Sequence, residues 1–266
     1  MNDRSNQVVI VTGAGGTGCG RAIAARFARD GAAVVVSDIN DAGGHETVRL
    51  IERDGGRAVF QRADVGVDGD ARELVAVAER TFGRVTILVN NASAPFRPGE
   101  PLEHWLDTFQ TDLLGAVFCT RAAIDALRRA GGGAIVNITS ISALWHGRRF
   151  GGAAPAYDAA KAGLLRLTTG LAALAESDGI RVNTLAPGWI ASDGPRQYWE
   201  SLTPQQRLER HVPATLLTPA QVAEAVVRLA RDTSLAGRVL VWWSEDTPRL
   251  IEWGDRGYAA YAEFIP

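Results

Sequence analysis

At 266 residues with 46% hydrophobic content, the chain is long enough to bury a sizeable core as one α/β domain. A formal net charge of −2 supplies no basic field for nucleic acid or an anionic membrane, and two cysteines, Cys19 and Cys119, are too few for a disulfide framework. Met1 is followed by polar Asn2, Asp3 and Arg4, and no run approaches the roughly 20 apolar residues of a membrane span, so a soluble cytoplasmic protein is expected.

Short apolar runs alternate with longer helical patterns. Strands are expected at Val8–Val11, Ala33–Ser37, Ala58–Gln61, Ile87–Asn90, Ala134–Ile138, Arg181–Leu185 and Val239–Val241. Helices are expected between them at about Gly20–Asp30, Asp41–Asp54, Gly69–Phe82, Leu102–Arg129, Ala156–Ser177 and Pro219–Asp232. Strand runs that are apolar throughout, rather than alternating, fit a parallel sheet covered on both faces. The rhythm predicts a doubly wound α/β fold, with a mostly parallel seven-stranded sheet flanked by helices in a single domain over residues 1–266. Two segments break it. Asp193–Val212 reads as a helical lid over a substrate, and an aromatic tail runs from Trp242 to Pro266. The tail's Trp242, Trp243, Trp253, Tyr258, Tyr261 and Phe264 predict burial, because free in solvent they would form a sticky surface.

The first strand runs into TGAGGTGCG, Thr12 to Gly20, and then into a helix. Glycines at such a turn let the backbone approach a pyrophosphate, and the helix N-terminus offers amide donors and a favourable dipole. Asp38, at the end of the second strand, is placed to accept hydrogen bonds from adenosine ribose hydroxyls. Its charge repels a 2′-phosphate, and no Arg or Lys adjoins it in sequence or sits in the glycine loop. The pattern predicts a Rossmann domain that binds NAD rather than NADP; read otherwise, Asp38 is a turn residue.

Tyr157 and Lys161 form YDAAK, a spacing that puts both side chains on one helical face. An ammonium near a phenol favours the phenolate, which can take a proton from an alcohol or return one to a ketone. Of 28 basic residues Lys161 is the only lysine. A lysine kept where arginine is otherwise used throughout points to a need for a compact ammonium of tunable pKa. His45, His104 and His211 have no ligand spacing between them, so no metal site is expected.

These motifs together resemble the short-chain dehydrogenase/reductase family over roughly residues 7 to 241. The glycine turn, Asp64-Val65, Asn90-Asn91-Ala92, Asn137-Ile138-Thr139-Ser140, the YxxxK pair, Arg181-Val182-Asn183 and Pro187-Gly188 follow in family order. The resemblance implies Ser140, Tyr157 and Lys161 as catalytic residues, with Ser140 bonding the reacting oxygen. It implies a cofactor site of Gly13, Thr17, Gly18, Cys19, Asp38, Ile39, Asp64, Val65, Asn91, Ala92, Tyr157, Lys161, Pro187, Gly188 and Ile190. A homotetramer or homodimer follows too, paired through the Leu102–Arg129 and Ala156–Ser177 helices.

Four positions depart from the family pattern. The glycine turn is one residue longer, leaving open which of Gly15, Gly16 and Thr17 meets phosphate. Ser93 replaces the usual Gly after NNA. Asp112 stands where the family often has an Asn that assists proton relay, and is taken as a fourth catalytic residue. Ser140 precedes Tyr157 by more than the usual spacing, with Arg148–Gly152 as the insertion, which keeps Ser142 as an alternative for the serine role.

The substrate side carries Ser142, Trp145, His146, Trp189 and Tyr198, near Arg148, Arg149, Phe150 and Trp199. This aromatic lining suits a small cyclic or aromatic alcohol or ketone rather than a sugar, unless the aromatics merely pack the lid. The arginine pair reads either as a clamp for a carboxylate or phosphate or as a solvated surface. The expected function is NAD-dependent interconversion of a secondary alcohol and a ketone. Alternatives are an NADPH-linked carbonyl or 3-oxoacyl reductase and a non-catalytic dinucleotide sensor.

Overall fold

The computed structural model describes residues 6–95, 99, 101–144, 154–252 and 254. Its sheet is built from β1 (Val8–Thr12), β2 (Ala33–Asp38), β3 (Arg57–Arg62), β4 (Ile87–Asn90), β5 (Gly133–Ile138), β6 (Ile180–Pro187), β7 (Val239–Trp242) and β8 (Arg249–Leu250). The order is β3-β2-β1-β4-β5-β6-β7-β8, with every pairing parallel except β7 with β8. The expected sheet of seven strands is thus extended by one. After β7 the chain turns back, Asp246 donating its N–H to the Trp243 carbonyl and Trp242 Nε1 donating to the Asp246 carbonyl. Arg238 then holds the Ile251 carbonyl at 2.8 Å. A two-residue edge strand held by such turns has no hydrophobic period of its own to read.

Helices cover both faces. Against one lie α1 (Cys19–Arg29) and α10 (Pro219–Arg231), whose Ile23, Phe27, Val226 and Leu229 pack on Val9, Val34 and Val136. Against the other lie α3 (Asp68–Phe82) and α5 (Gly115–Arg129), whose Leu74 and Leu127 pack on Ile10, Val35 and Ile135. Neighbouring strand residues point to opposite faces, and both faces are apolar. Helix α2 (Asp41–Arg53) starts at Asn40, whose side chain accepts from Gly43 N; α10 starts in a capping box of Thr218 and Gln221. Arg181 and Asn183 of β6 donate to the carbonyls of Ala230, Asp232 and Leu235, so the Arg-Val-Asn motif satisfies the end of α10.

Two expected helices are interrupted. The stretch expected at Leu102–Arg129 begins as a 3-10 turn, Leu102–His104, becomes α4 (Trp105–Phe109), and passes through a π turn, Gln110–Leu114, into α5. The stretch expected at Ala156–Ser177 is α6 (Pro155–Gly170) followed by α7 (Leu174–Asp178), broken just after Gly170, a poor helix former. The segment 193–212 folds as α8 (Asp193–Glu200) and α9 (Pro204–Glu209). Among the described residues no helix is long and apolar enough to cross a membrane.

Candidate active site

Strand β1 leaves the sheet beside β4, where the strand order reverses and doubly wound sheets open a crevice at the carboxyl ends of their strands. The glycine turn is tied there on both sides. Thr12 Oγ1 accepts the N–H groups of Asn91 and Ala92 at 3.0 and 3.1 Å, and the Asn91 amide donates to the Thr12 and Gly13 carbonyls. Gly13 has φ +65, and a Cβ on it would sit 2.7 Å from Ala92 Cα; no other residue fits. Helix α1 begins at Gly18 with no side-chain cap, so its first amides remain available to an anion.

The Asp38 carboxylate accepts from Gly15 N at 2.7 Å and from Asn40 N at 2.9 Å. A Cβ on Gly15 would lie 2.8 Å from the Asp38 side chain, which places Gly15 on the inner side of the turn. Gly16 and Thr17 form its exposed tip. Arg21 braces the turn from behind, donating to the Gly15 and Gly43 carbonyls and to Thr47. Cys19 is half-buried and burial pushes its thiol up to about 12, so it contributes no thiolate.

The remaining groove residues sit on the same edge. Ile39 is 62% exposed just beyond Asp38. Asp64 is exposed, accepting from Gly66 N, while Val65 is buried against Gly115. Pro187 ends β6, Gly188 N donates to the Trp242 carbonyl, and Ile190 pairs with Leu217. A glycine cradle that a Cβ would fill, an uncapped helix N-terminus and a carboxylate at the ribose position fit a nicotinamide dinucleotide. One cation near this site is invisible in the linear sequence. Arg62 lies in register with Asp38 across β2 and β3, exposed, 3.6 Å from Asp41. The absence of an arginine adjoining Asp38 in sequence therefore does not extend to the sheet.

The candidate catalytic side chains converge at the ends of β4, β5 and α6. Ser140 stands two residues beyond the end of β5 and its hydroxyl bonds the Tyr157 phenol, while Ser142 donates its backbone N–H to Ser140 Oγ at 3.1 Å. The Ser142 hydroxyl has no partner among the described residues, so geometry favours Ser140 for contact with Tyr157. Lys161 is 3% exposed, with its Nζ 5.4 Å from the Tyr157 ring centre and donating to the Ile138 carbonyl at 3.2 Å.

Asp112 is 1% exposed and approaches Lys161 Nζ to 3.0 Å. It also accepts from Ser93 Oγ at 2.5 Å and from Ala94 N at 2.7 Å. It stands in the π turn, a distortion that recurs at functional positions. Two of the four departures from the family pattern, Ser93 and Asp112, are thus one contact. The Ser93 part was missed because nothing links residues 93 and 112 in sequence.

Charges around the phenol oppose one another. Burial pushes Tyr157 above the ordinary tyrosine range, Lys161 and Ser140 pull it back, and Asp112 and Asp158 push it up again. Burial works against the Lys161 ammonium, but Asp112 and Tyr157 more than offset it and the amine is held above its usual range. Beneath this cluster a buried polar ladder joins the strands: Asn90 donates to Asn137 and Thr120, and Asn137 to Thr168.

Of the expected substrate-side residues, Trp189 stacks on Tyr198 at 6.1 Å between ring centres, and Tyr198 is 41% exposed. Trp199 instead donates to the Pro213 carbonyl and carries Arg207 over its ring at 3.5 Å, so it packs α8 and α9 together. Trp145, His146, Arg148, Arg149 and Phe150 lie outside the described residues, as do Trp253, Tyr258, Tyr261 and Phe264. Segment 193–212 meets the glycine turn through Thr17 Oγ1, which donates to Asp193 at 2.7 Å. No group of three or more His, Cys, Asp or Glu among the described residues is arranged to hold a metal.

Comparison with known proteins agrees with this geometry. The family model described as enoyl-(acyl carrier protein) reductase matches residues 13–240. The L-rhamnose 1-dehydrogenase (NAD(P)(+)) of Azotobacter vinelandii strain DJ is 39% identical over 237 residues, 85% of this chain and 90% of that protein. The cis-4-hydroxycyclohexanecarboxylate dehydrogenase of Sinomonas cyclohexanicum is 34% identical over 239 residues, covering 86% and 91%. A crystal structure from Burkholderia xenovorans, described as a short-chain dehydrogenase/reductase, superposes with a TM-score of 0.79 at 31% identity, over 89% of this chain and 95% of that one. A Rossmann-type sheet, a dinucleotide groove and relatives that are dehydrogenases of alcohols make the chain an oxidoreductase, and it belongs to the short-chain dehydrogenase/reductase family.

Proposed function

We propose that the protein is an NAD-dependent dehydrogenase that interconverts a small ring-borne secondary alcohol and its ketone. The observation that carries this reading is the convergence of Ser140, Tyr157 and a buried Lys161 beside a dinucleotide-shaped groove. The dinucleotide, when bound, supplies the hydride acceptor for alcohol oxidation and the hydride donor for ketone reduction. Tyr157 takes the hydroxyl proton of the alcohol at its phenol oxygen. Ser140 hydrogen-bonds the same substrate oxygen and steadies its developing charge. Lys161 holds the phenol nearer its ionised form and orients the ribose side of the groove.

Asp38 supports NAD, since its carboxylate suits ribose hydroxyls and repels a 2′-phosphate. Arg62 favours a second reading in which NADP is also accepted, the guanidinium reaching the phosphate across the sheet edge. The cofactor groove comprises Gly13, Thr17, Gly18, Asp38, Ile39, Asp64, Val65, Asn91, Ala92, Pro187, Gly188 and Ile190, with Cys19 contributing through its backbone amide. Ser142, Trp189 and Tyr198 line the substrate side; Trp145 and His146, assigned to it from the sequence, lie outside the described residues. One relative named above acts on a cyclohexane-ring alcohol and another on a sugar, so a ring bearing a hydroxyl is the shared theme. Leu102, Leu106 and Leu114, exposed along one helical stretch, support pairing of copies into a homodimer or homotetramer.

The test is reduction of NAD and of NADP across a panel of cyclic, aromatic and short-chain secondary alcohols and sugars, beside Tyr157→Phe. Turnover with NAD on ring alcohols that vanishes in the variant is expected. Dinucleotide binding without turnover, unchanged by the substitution, would overturn the reading.

A further inference from the structure

Segment 193–212 is tied at both ends to two residues of the turn after β7. On the entry side, Trp189 N donates to Ser244 Oγ at 2.8 Å, and the same hydroxyl donates to the Trp189 carbonyl at 3.3 Å. One hydroxyl thus engages both backbone polar groups of a single residue. Gly188 lies so close beneath this turn that a Cβ on it would meet Ser244 Oγ at 2.5 Å. On the exit side, Thr215 Oγ1 donates to the Ser244 carbonyl at 3.3 Å, and Ala214 N donates to the Glu245 carboxylate. The turn itself is fixed to the sheet. Gly188 N donates to the Trp242 carbonyl at 2.8 Å, Trp242 Nε1 donates to the Asp246 carbonyl at 2.9 Å, and β7 pairs with β8 on either side of the turn.

These bonds leave the Trp189 backbone little freedom. Its carbonyl also accepts from Leu217 N at 2.8 Å, and the next residue, Ile190, bridges to Leu217. With the peptide groups on both sides held, the direction in which the side chain leaves the chain is set, and the allowed rotamers follow from it. The indole then stacks on Tyr198 with ring centres 6.1 Å apart and planes 26° apart. Trp189 follows β6, whose end lies beside that of β5, since Thr139 N donates to the Leu185 carbonyl at 2.8 Å next to Ser140. We propose that Ser244 is a specificity-determining positioning residue: through the Trp189 backbone it aims the aromatic wall on which a ring-borne alcohol lies. This rests on the reading of the substrate as a ring alcohol. A ring laid on a fixed aromatic face gains contact without losing internal rotations, whereas an open chain of equal size has to give up several. Once the Ser244 hydroxyl is gone the indole spreads over several orientations, and the ring substrate loses the advantage.

The experiment measures kcat and KM for cyclohexanol and for 2-hexanol, alcohols of equal carbon number, at saturating NAD. It compares the unmodified enzyme, Ser244→Ala, Trp189→Leu and the double variant. The unmodified enzyme is expected to prefer cyclohexanol. In Ser244→Ala the ratio of kcat/KM for the ring over the open chain falls about tenfold, and the loss lies in KM for cyclohexanol, with its kcat within about twofold. Trp189→Leu lowers the ratio at least as far, and adding Ser244→Ala to it moves the ratio by less than about twofold, because Ser244 acts through the indole. A ratio that Ser244→Ala leaves unaltered, equal losses on both alcohols, or effects that multiply in the double variant overturn the proposal and leave Ser244 as a tether of the fold. An unmodified enzyme that oxidises cyclohexanol no better than 2-hexanol would instead defeat the ring-alcohol reading itself, and the proposal with it, whatever the variants do.

Discussion

Removing both partners of the Lys161–Asp112 pair should cost clearly less than the two single losses added together. The charges lie 3.0 Å apart, one side chain 4% and the other 0% exposed. At an effective dielectric near 20, Coulomb's law gives roughly 5 kcal/mol of attraction at that separation, most of it spent on desolvating the two groups. Asp112→Asn leaves the ammonium buried with a single carbonyl, a loss of about 3–5 kcal/mol. The loss is bounded, because at pH 7 shedding the lysine proton costs roughly 4–5 kcal/mol. Lys161→Met leaves the carboxylate with Ser93 and Ala94 and costs less. The double variant should recover about 3 kcal/mol of the summed losses. Urea denaturation at fixed protein concentration, without dinucleotide, measures all four corners of the cycle. The pH dependence carries its own sign. In Asp112→Asn the unpaired amine favours its neutral form when folded, so the unfolded chain binds more protons and stability rises with pH towards the ordinary lysine range. The unmodified protein, whose Lys161 is held above that range, shows no such rise there. Losses that add within about 0.5 kcal/mol, or a variant whose stability does not depend on pH, would refute the argument.

Three further perturbations test the cofactor groove. Asp38→Ala should raise kcat/KM with NADP by roughly thirtyfold, from about 2 kcal/mol of relieved repulsion, and adding Arg62→Ala should cancel most of the gain; steady-state kinetics with both dinucleotides decides it. Gly15→Ala drives a methyl group against the Asp38 side chain, so NAD affinity by titration calorimetry should fall about tenfold while thermal stability changes little. Asp193→Ala breaks the bond from Thr17 to α8, and limited proteolysis should then cut within α8 and α9 faster than in the unmodified protein; equal cutting would mean the bond does not hold this segment.

The sheet was legible because Val8–Val11, Ile87–Asn90 and Ala134–Ile138 are apolar on both faces, a pattern that only a doubly covered strand sustains. The glycine turn and YDAAK were legible because the residues of each motif lie within a few positions of one another, even though their partners Asp38, Asn91, Ser140 and Asp112 come from elsewhere. What escaped was set by register or by packing across the fold. Arg62 meets Asp38 only through the pairing of β2 with β3, and Ser93 meets Asp112 only once the loop after β4 lies on the π turn. The break after Gly170 and the π turn are hydrogen-bond shifts within stretches whose apolar period runs on, so periodicity reads straight through them.

The π turn also acts as a phase shifter. Five residues, Gln110–Leu114, complete a loop that a regular helix would close with four, so α5 emerges rotated about 100° against the face set by α4. Deleting one residue from this stretch would restore regular winding without removing any catalytic group. Either the carboxylate would swing off the amine, or α5 would turn Cys119 and Ala123 out of the core. The helix cannot keep both in place at an ordinary pitch, which makes the spacing between residues 105 and 129 as restrictive as the identity of any residue within it.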